Sequence, residues 1–344
     1  MRASLEFVVD ARSTVRATCA GSKACTAVLD VVIVAPVDDL HAQCVAHIVR
    51  SKFGKECLVW DTSRLPAEDR ATIELGGADK GWSLISDGRR YDLATVKCIW
   101  WRRPRAPRIG PNVIEPRVRE FCEEQTDRFF KGLVGALSAT LINDPDAQSR
   151  ANRKAVQLQE AQRLGMKIPE TILTNDPDAV RRFVQQANGT CVYKAFRAPH
   201  WKLLETRLIR DDDLLRLQGL RHAPIIVQRF IPRGRDIRVT VIRDRVFCAA
   251  AVVRREEAAI DWRVDPAVTW EATRIPRRLE MMLVAYVGQL GLHYGCIDLR
   301  EDPTGEIYFL EINPSGQFLF LEVDADLPVV RAFAEMLCQP QPNE

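Results

Sequence analysis

The sequence is short of the usual signatures. A net charge of only +3 over 344 residues gives no case for nucleic-acid binding. No apolar run approaches the roughly 20 residues needed to span a bilayer. Ten cysteines are present, but there is no CxxC pair and no cysteine–histidine cluster with zinc spacing. Most sit within apolar runs and read as reduced core residues, which points to a cytoplasmic protein. No GxGxxG follows the first strand, so a dinucleotide-binding fold is not supported. The one Gly-Lys pair, Gly54-Lys55, is followed by Glu56 and is not a phosphate-binding P-loop. No Ser/His/Asp or Cys/His set suggests a covalent acyl-enzyme.

What is present is an ordered series of strands and helices. Residues 1–27 hold neither an h-region nor a cleavage site and read as a flexible extension. Leu29 to Ala35 is a buried strand ended by Pro36. Asp38 or Asp39 caps a helix running to about Lys52, and Cys57 to Trp60 is the next strand, giving a parallel βαβ unit. Thr72 to Leu75 and Trp82 to Ile85 read as an antiparallel pair. Val96 to Trp101 is a strand running into Arg102 and Arg103, which either face an anionic partner or mark a solvated strand end. A long helix over 115–138 places Val118, Phe121, Cys122, Phe129, Leu133 and Leu137 near one face. Asn143-Asp144-Pro145 then breaks the chain, and a domain boundary is expected within 143–149. Further helices are expected over 151–164, Asp176 to Asn188, Arg277 to Leu290 and Leu327 to Leu337. Strands are expected over Cys191 to Phe196, Ala223 to Ile231 and Val246 to Arg254.

The most informative stretch is Tyr294 to Glu322. It reads as two strands joined by a turn at Asp302-Pro303-Thr304-Gly305. Alternation puts Glu311 and Asn313 on one face, where Asp298 of the partner strand meets them. Acids inside apolar strands need a partner. Two carboxylates and an amide oxygen form a hard ligand set suited to Mg²⁺, which also takes phosphate oxygens. Pro314 ends the strand and Gly316 permits a sharp turn. Lys194 lies inside the apolar run Cys191 to Phe196, where an ammonium calls for an anion such as a phosphate. Asp236 and Arg238 alternate onto one face, where they could simply pair with each other.

Asp298 in CIDL, followed by Glu311-Ile312-Asn313-Pro314, resembles the metal-binding end of the ATP-grasp ligases. The longer EINPSGQFLFLE is similar to the microviridin-type peptide ligases, the graspetide synthetases. WWRRP, DIRV and DWR carry the same resemblance, which extends from about Val28 to Leu337. It implies an α/β (α+β) ATP-grasp fold with an N-terminal βαβ pre-ATP-grasp domain. The implied division is an extension over 1–27, the pre-ATP-grasp domain over 28–148, a central subdomain over 149–222 and a C-terminal subdomain over 223–344. The resemblance implies ATP and Mg²⁺ as cofactors. Lys154 and Lys194 would reach the nucleotide phosphates, Gln228, Arg229, Phe230 and Ile231 would line the adenine hinge, and Asp298, Glu311 and Asn313 would hold the metal. Arg238 and Arg263 would face the transferred phosphoryl group as catalytic residues. The segment Arg197 to Lys202 lacks the glycines of the usual phosphate flap, and Arg197, His200 and Lys202 are its candidate phosphate contacts.

The implied partner is a ribosomally made precursor peptide, with a leader that docks and a core that is cyclised through Asp or Glu side chains. No nucleic acid or membrane is expected, and a homodimer is a candidate assembly. The alternative within the fold is a glutamate-adding amino-acid or peptide ligase. Outside it, the alternative is a nucleotide-binding scaffold without turnover.

Overall fold

Val31–Val34 is apolar at every position and disappears from solvent completely, as a central parallel strand requires. In the computed structural model, which describes residues 26–76, 81–188, 190–197, 204–253 and 260–340, this strand is β2. It follows β1 (Ala27–Val28) and precedes α1 (Leu40–Phe53) and β3 (Cys57–Trp60). Asp39 caps α1 by accepting from Ala42 N, and Gly54 ends it with φ +62°. The antiparallel strands β4 (Arg70–Glu74), β5 (Gly81–Ser86) and β6 (Arg89–Asp92) form a separate sheet with β1. Then come β7 (Cys98–Trp101), α2 (Pro116–Gly135) and β8 (Thr140–Ile142).

The parallel sheet has the order β3-β2-β7-β8. The crossover from β2 leads to one side and that from β7 to the other. The connections therefore diverge between β2 and β7, the kind of switch point at whose carboxyl end open α/β sheets commonly bind ligands. Helix α2 differs from its expected packing. It buries Thr126, Phe130, Leu133 and Val134, whereas Phe121 and Phe129 are exposed. The two stripes overlap at Leu133, so periodicity alone did not decide which one meets the sheet.

The remainder follows in chain order: α3 (Pro145–Ala151), α4 (Lys154–Arg163), β9 (Thr171–Thr174), α5 (Pro177–Gln186), β10 (Cys191–Lys194), β11 (Arg207–Leu208), α6 (Asp211–Leu215) and β12 (Ile225–Arg229). Strands β9 to β12 form an antiparallel sheet of order β11-β10-β12-β9. Next are β13 (Arg235–Ile242), β14 (Arg245–Val252), β15 (Thr269–Ala272), α7 (Arg277–Gln289), β16 (Tyr294–Glu301), β17 (Ile307–Asn313), α8 (Leu319–Ala325) and α9 (Val329–Cys338). The single final helix expected over Leu327 to Leu337 is α9. Ala325 belongs instead to α8, which ends at Asp326 with φ +53°.

The antiparallel sheet β15-β14-β13-β16-β17 is the platform of the molecule. Leu283, Tyr286 and Val287 of α7 pack into its core. A second core joins the N-terminal parallel sheet to the C-terminal helices, with Trp100 between Tyr294, Phe318 and Phe333.

Polar side chains from several elements hold the chain leaving β17. Gln157 accepts from Ile312 N and donates to Ile312 O. Asn143 donates to Tyr294 O and Pro314 O while accepting from His293 N and Tyr294 N. Ser315 Oγ donates to Gln148, and His41 Nε2 accepts from Phe318 N and Leu319 N. Gly316 lies within this clamp, but its φ is not positive, so its role is close approach rather than a left-handed turn. An added Cβ would stand 2.3 Å from Cys296 Cβ and 2.6 Å from Cys296 Sγ. Gly316→Ala is expected to cost about 1–3 kcal/mol by overpacking, seen as a lower unfolding midpoint. An unchanged midpoint would contradict this packing.

Candidate active site

The site is built from the register of three strands. Across β13 and β16, Asp236 faces Arg300 and Arg238 faces Asp298. Across β16 and β17, Asp298 faces Glu311 and Cys296 faces Asn313, with a bulge just after Asp298. Asp236 and Arg238 therefore do not pair with each other, the bonding left open by their spacing. Arg300 Nε donates to Asp236 Oδ1 at 2.8 Å, and Arg238 Nη1 lies 2.9 Å from Asp298 Oδ1. Neighbours across a sheet approach more closely than residues two apart on one strand, so the cross-strand pairs win. The Arg238–Asp298 contact is an ion pair without hydrogen-bond geometry. Arg238 Nε and Nη1 are buried with no acceptor among the described residues.

Cations converge on the two acids from separate elements. Lys154 stands in the first turn of α4, and its Nζ donates to Glu311 Oε2 at 2.8 Å. Lys194, at the end of β10, lines the same cleft as Lys154, Asp298 and Glu311. Burial pulls the Lys194 ammonium below its ordinary pKa, opposed by the Glu311 carboxylate. Burial works to raise Glu311, but Lys154 and Lys194 outweigh it and hold the carboxyl below its usual range. Asp298 moves the other way. Burial lifts it, the nearby Glu311 adds to the lift, and Arg238 only partly opposes them.

Arg263 also lines the cleft. It donates through Nε and Nη2 to Asp261, at 2.8 and 2.5 Å, and this bond raises its pKa. Asp261 is buried and also accepts from Thr206 N. Arg300 Nη2 donates to Ile260 O, tying β16 to the segment that carries Arg263. Arg300, Asp236 and Asp261 were not singled out from the sequence as site residues. The signal was the one that exposed Asp298, since Arg300 is another charge inside the same apolar strand.

The positions expected to line the adenine hinge do not line this cleft. Gln228 is buried at the end of β12, where its amide donates to Thr171 Oγ1. Arg229 is exposed beside Glu170, and Phe230 N donates to Thr190 O. Neither these three residues nor Ile231 line the cleft. Asn313 is exposed, and its Oδ1 accepts from Ser315 N. His200 and Lys202 of the glycine-free segment lie outside the described residues, as does Arg254 at the end of the strand expected over Val246 to Arg254. Arg197 lines the cleft.

Among the described residues no group of three or more His, Cys, Asp or Glu side chains gathers as a complete metal cage. Asp298 and Glu311 nevertheless form a facing carboxylate pair. Such a pair fits Mg²⁺, which binds one or two carboxylates and takes its remaining oxygens from phosphates and water.

No family profile matches the chain. The fold is that of the macrocyclase MdnC from Microcystis aeruginosa, solved with precursor peptide MdnA. The two are 29% identical with a TM-score of 0.81, over 90% of this chain and 99% of that one. A RiPP-associated ATP-grasp ligase of Chryseobacterium gregarium, solved with ADP and a leader and core peptide, superposes with a TM-score of 0.83. It is 22% identical, over 92% of this chain and 99% of that one. The chain is an ATP-grasp ligase. A probable alpha-L-glutamate ligase of Sodalis glossinidius is 26% identical over 231 residues, which are 65% of this ligase and 73% of that protein. Other relatives of that description are matched over 59% of their length. As an ATP-grasp ligase, the protein uses ATP to form ester or amide bonds. No helix among its described residues is long and apolar enough to cross a membrane.

Proposed function

We propose that this ligase closes macrocycles in a ribosomally made precursor peptide, activating Asp or Glu side chains as acyl phosphates. The observation that carries the reading is the pair of facing acids, Asp298 and Glu311, within one cleft with Lys154, Lys194 and Arg263. Such a constellation suits phosphoryl transfer, where positioning and charge stabilisation do most of the work. The likeness to MdnC over nearly the whole chain supports a peptide as the substrate.

Lys154 and Lys194 hold the nucleotide phosphates in this reading. Asp298, Glu311 and Asn313 hold Mg²⁺, which when bound offsets charge on the phosphate oxygens. Asn313 would share its Oδ1, which already accepts one backbone N–H. Arg238, whose buried Nε has no acceptor among the described residues, and Arg263 orient the reacting oxygens. A side-chain carboxylate oxygen attacks the γ-phosphorus. The new O–P bond forms as the bridging bond to ADP breaks. A Ser or Thr hydroxyl, or a Lys amine, then attacks the activated carbonyl carbon. The ester or amide bond forms, the bond to phosphate breaks, and the attacking group's proton leaves with the phosphate.

The second reading, a glutamate-adding ligase, is favoured by the descriptions of the sequence relatives. The test is intact mass of acidic peptides encoded near the gene, after co-expression with the enzyme. Loss of water dependent on the intact enzyme is expected. An unchanged peptide mass, with ATP turnover only on addition of free amino acids, would favour the second reading.

A further inference from the structure

The switch point between β2 and β7 holds a charge imbalance that the reaction site does not use. The backbone N–H groups of Arg102 and Arg103 both donate to Val34 O, fixing the two arginines at the carboxyl ends of these strands. Open α/β sheets bind ligands at such a divergence of connections. Arg102 is only 2% exposed, so it is not the solvated strand end allowed by the sequence. Its Nε donates to Asp39 Oδ1 at 2.8 Å, and its guanidinium lies over the Trp100 ring. Its Nη1 and Nη2 are buried without a hydrogen-bond acceptor among the described residues.

Buried polar groups are almost always satisfied, so these donors call for an acceptor. The charges say of which kind. Asp39 is the carboxylate that faces the pair, and its Oδ1 is already shared between Arg102 and Ala42 N. Its Oδ2 lies 3.9 Å from Arg103 Nη1, too far for a hydrogen bond. The Arg103 side chain is 46% exposed and open to an incoming group. Two guanidiniums therefore meet one carboxylate, and the missing partner is an anion.

The position says which anion. Tyr294, Cys296 and Asp298 alternate onto one face of β16, with Tyr294 against Trp100 at the switch point. Four steps along the strand separate Tyr294 from Asp298, about 13 Å. A carboxylate held at Arg103 is thus not the one being phosphorylated, yet one extended peptide can reach both places.

We propose that this switch point binds a second, non-reacting carboxylate of the peptide substrate. Arg103 makes the contact and Arg102 provides the buried charge behind it. The proposal rests on the peptide reading above and deepens it. The carboxylate belongs either to an acidic side chain outside the ring or to the peptide C-terminus.

Binding of fluorescently labelled precursor peptide to the full-length enzyme, read by anisotropy, tests this. Arg103→Ala is expected to weaken binding about ten-fold, the order of one charge-assisted hydrogen bond, with partial recovery in Arg103→Lys. Scanning Asp and Glu to their amides in the peptide, and amidating its C-terminus, separates the two sources. The responsible change weakens binding to the wild type and has no further effect on Arg103→Ala. Equal peptide affinity in Arg103→Ala, or full additivity for every peptide change, overturns the proposal. If the wild type binds no peptide, the macrocycle reading fails separately. Calorimetric titration with N-acetyl-glutamate amide then decides the carboxylate site. Saturable binding lost in Arg103→Ala supports it, and no binding, or binding that persists, overturns it.

Discussion

Replacing Glu311 with Gln is expected to reduce ATP-dependent ligation about a thousand-fold or more, while the protein remains folded. Losses of this order follow removal of one preorganised charge-stabilising group. Glu311 faces Asp298 across the β16–β17 pair and accepts from Lys154 at 2.8 Å. Neutralising it would remove half of the carboxylate pair and leave Lys154 and Lys194 without their counter-charge. Single-turnover rates with saturating Mg²⁺ and ATP, alongside the unfolding midpoint, separate chemistry from folding. A folded Glu311→Gln variant with near-wild-type rates would remove Glu311 from the reaction.

The second large effect is on stability and concerns His41. Burial, assisted by the nearby Arg102, lowers its pKa from 6.5 to about 3. Its Nε2 accepts from Phe318 N and Leu319 N, which requires a neutral ring, since a protonated imidazole has no acceptor. Between about pH 6.5 and pH 3 the unfolded chain takes up a proton on His41 that the folded chain refuses. Stability is fully present above 6.5 and falls with acid at up to about 1.4 kcal/mol per pH unit, on the order of 5 kcal/mol across the whole window. Denaturant midpoints from pH 7.5 to 5 should show this slope in the wild type and lose it in His41→Gln. The same slope in both proteins would mean that His41 is not the group responsible. The effect reaches the site because Phe318 and Leu319 lie on the chain leaving Asn313.

The parts of this arrangement that were legible in the sequence share one cause. A charge inside an apolar strand is costly alone, and that marked Asp298, Glu311 and Lys194, which line one cleft. Strand alternation placed Asp298 and Glu311 on a common face, as the register bears out. The DWR string drew attention to Arg263, which lines the same cleft. What sequence did not reveal depends on which strand lies beside which. Asp236 bonds Arg300 and Arg238 meets Asp298 only because β13 runs antiparallel to β16 in that register. Spacing along one strand says nothing of this. Helix α2 carried two overlapping apolar stripes, and the sheet chose Thr126, Phe130, Leu133 and Val134. His41 gave no signal either. Its partners, Phe318 and Leu319, are 277 and 278 residues away, and their contribution is backbone N–H.

In the proposed reaction a substrate carboxylate becomes an acyl phosphate in the cleft of Asp298, Glu311, Lys154 and Lys194. The most direct measurement is the fate of carboxylate oxygen. A precursor peptide with ¹⁸O-labelled Asp and Glu side chains would be cyclised with Mg²⁺ and unlabelled ATP, and the released phosphate analysed by mass spectrometry. Carboxylate attack on the γ-phosphorus predicts one oxygen from the peptide carboxylate in each phosphate released per ring closed. Phosphate carrying no peptide oxygen, in a reaction that still closes the ring, would contradict the account.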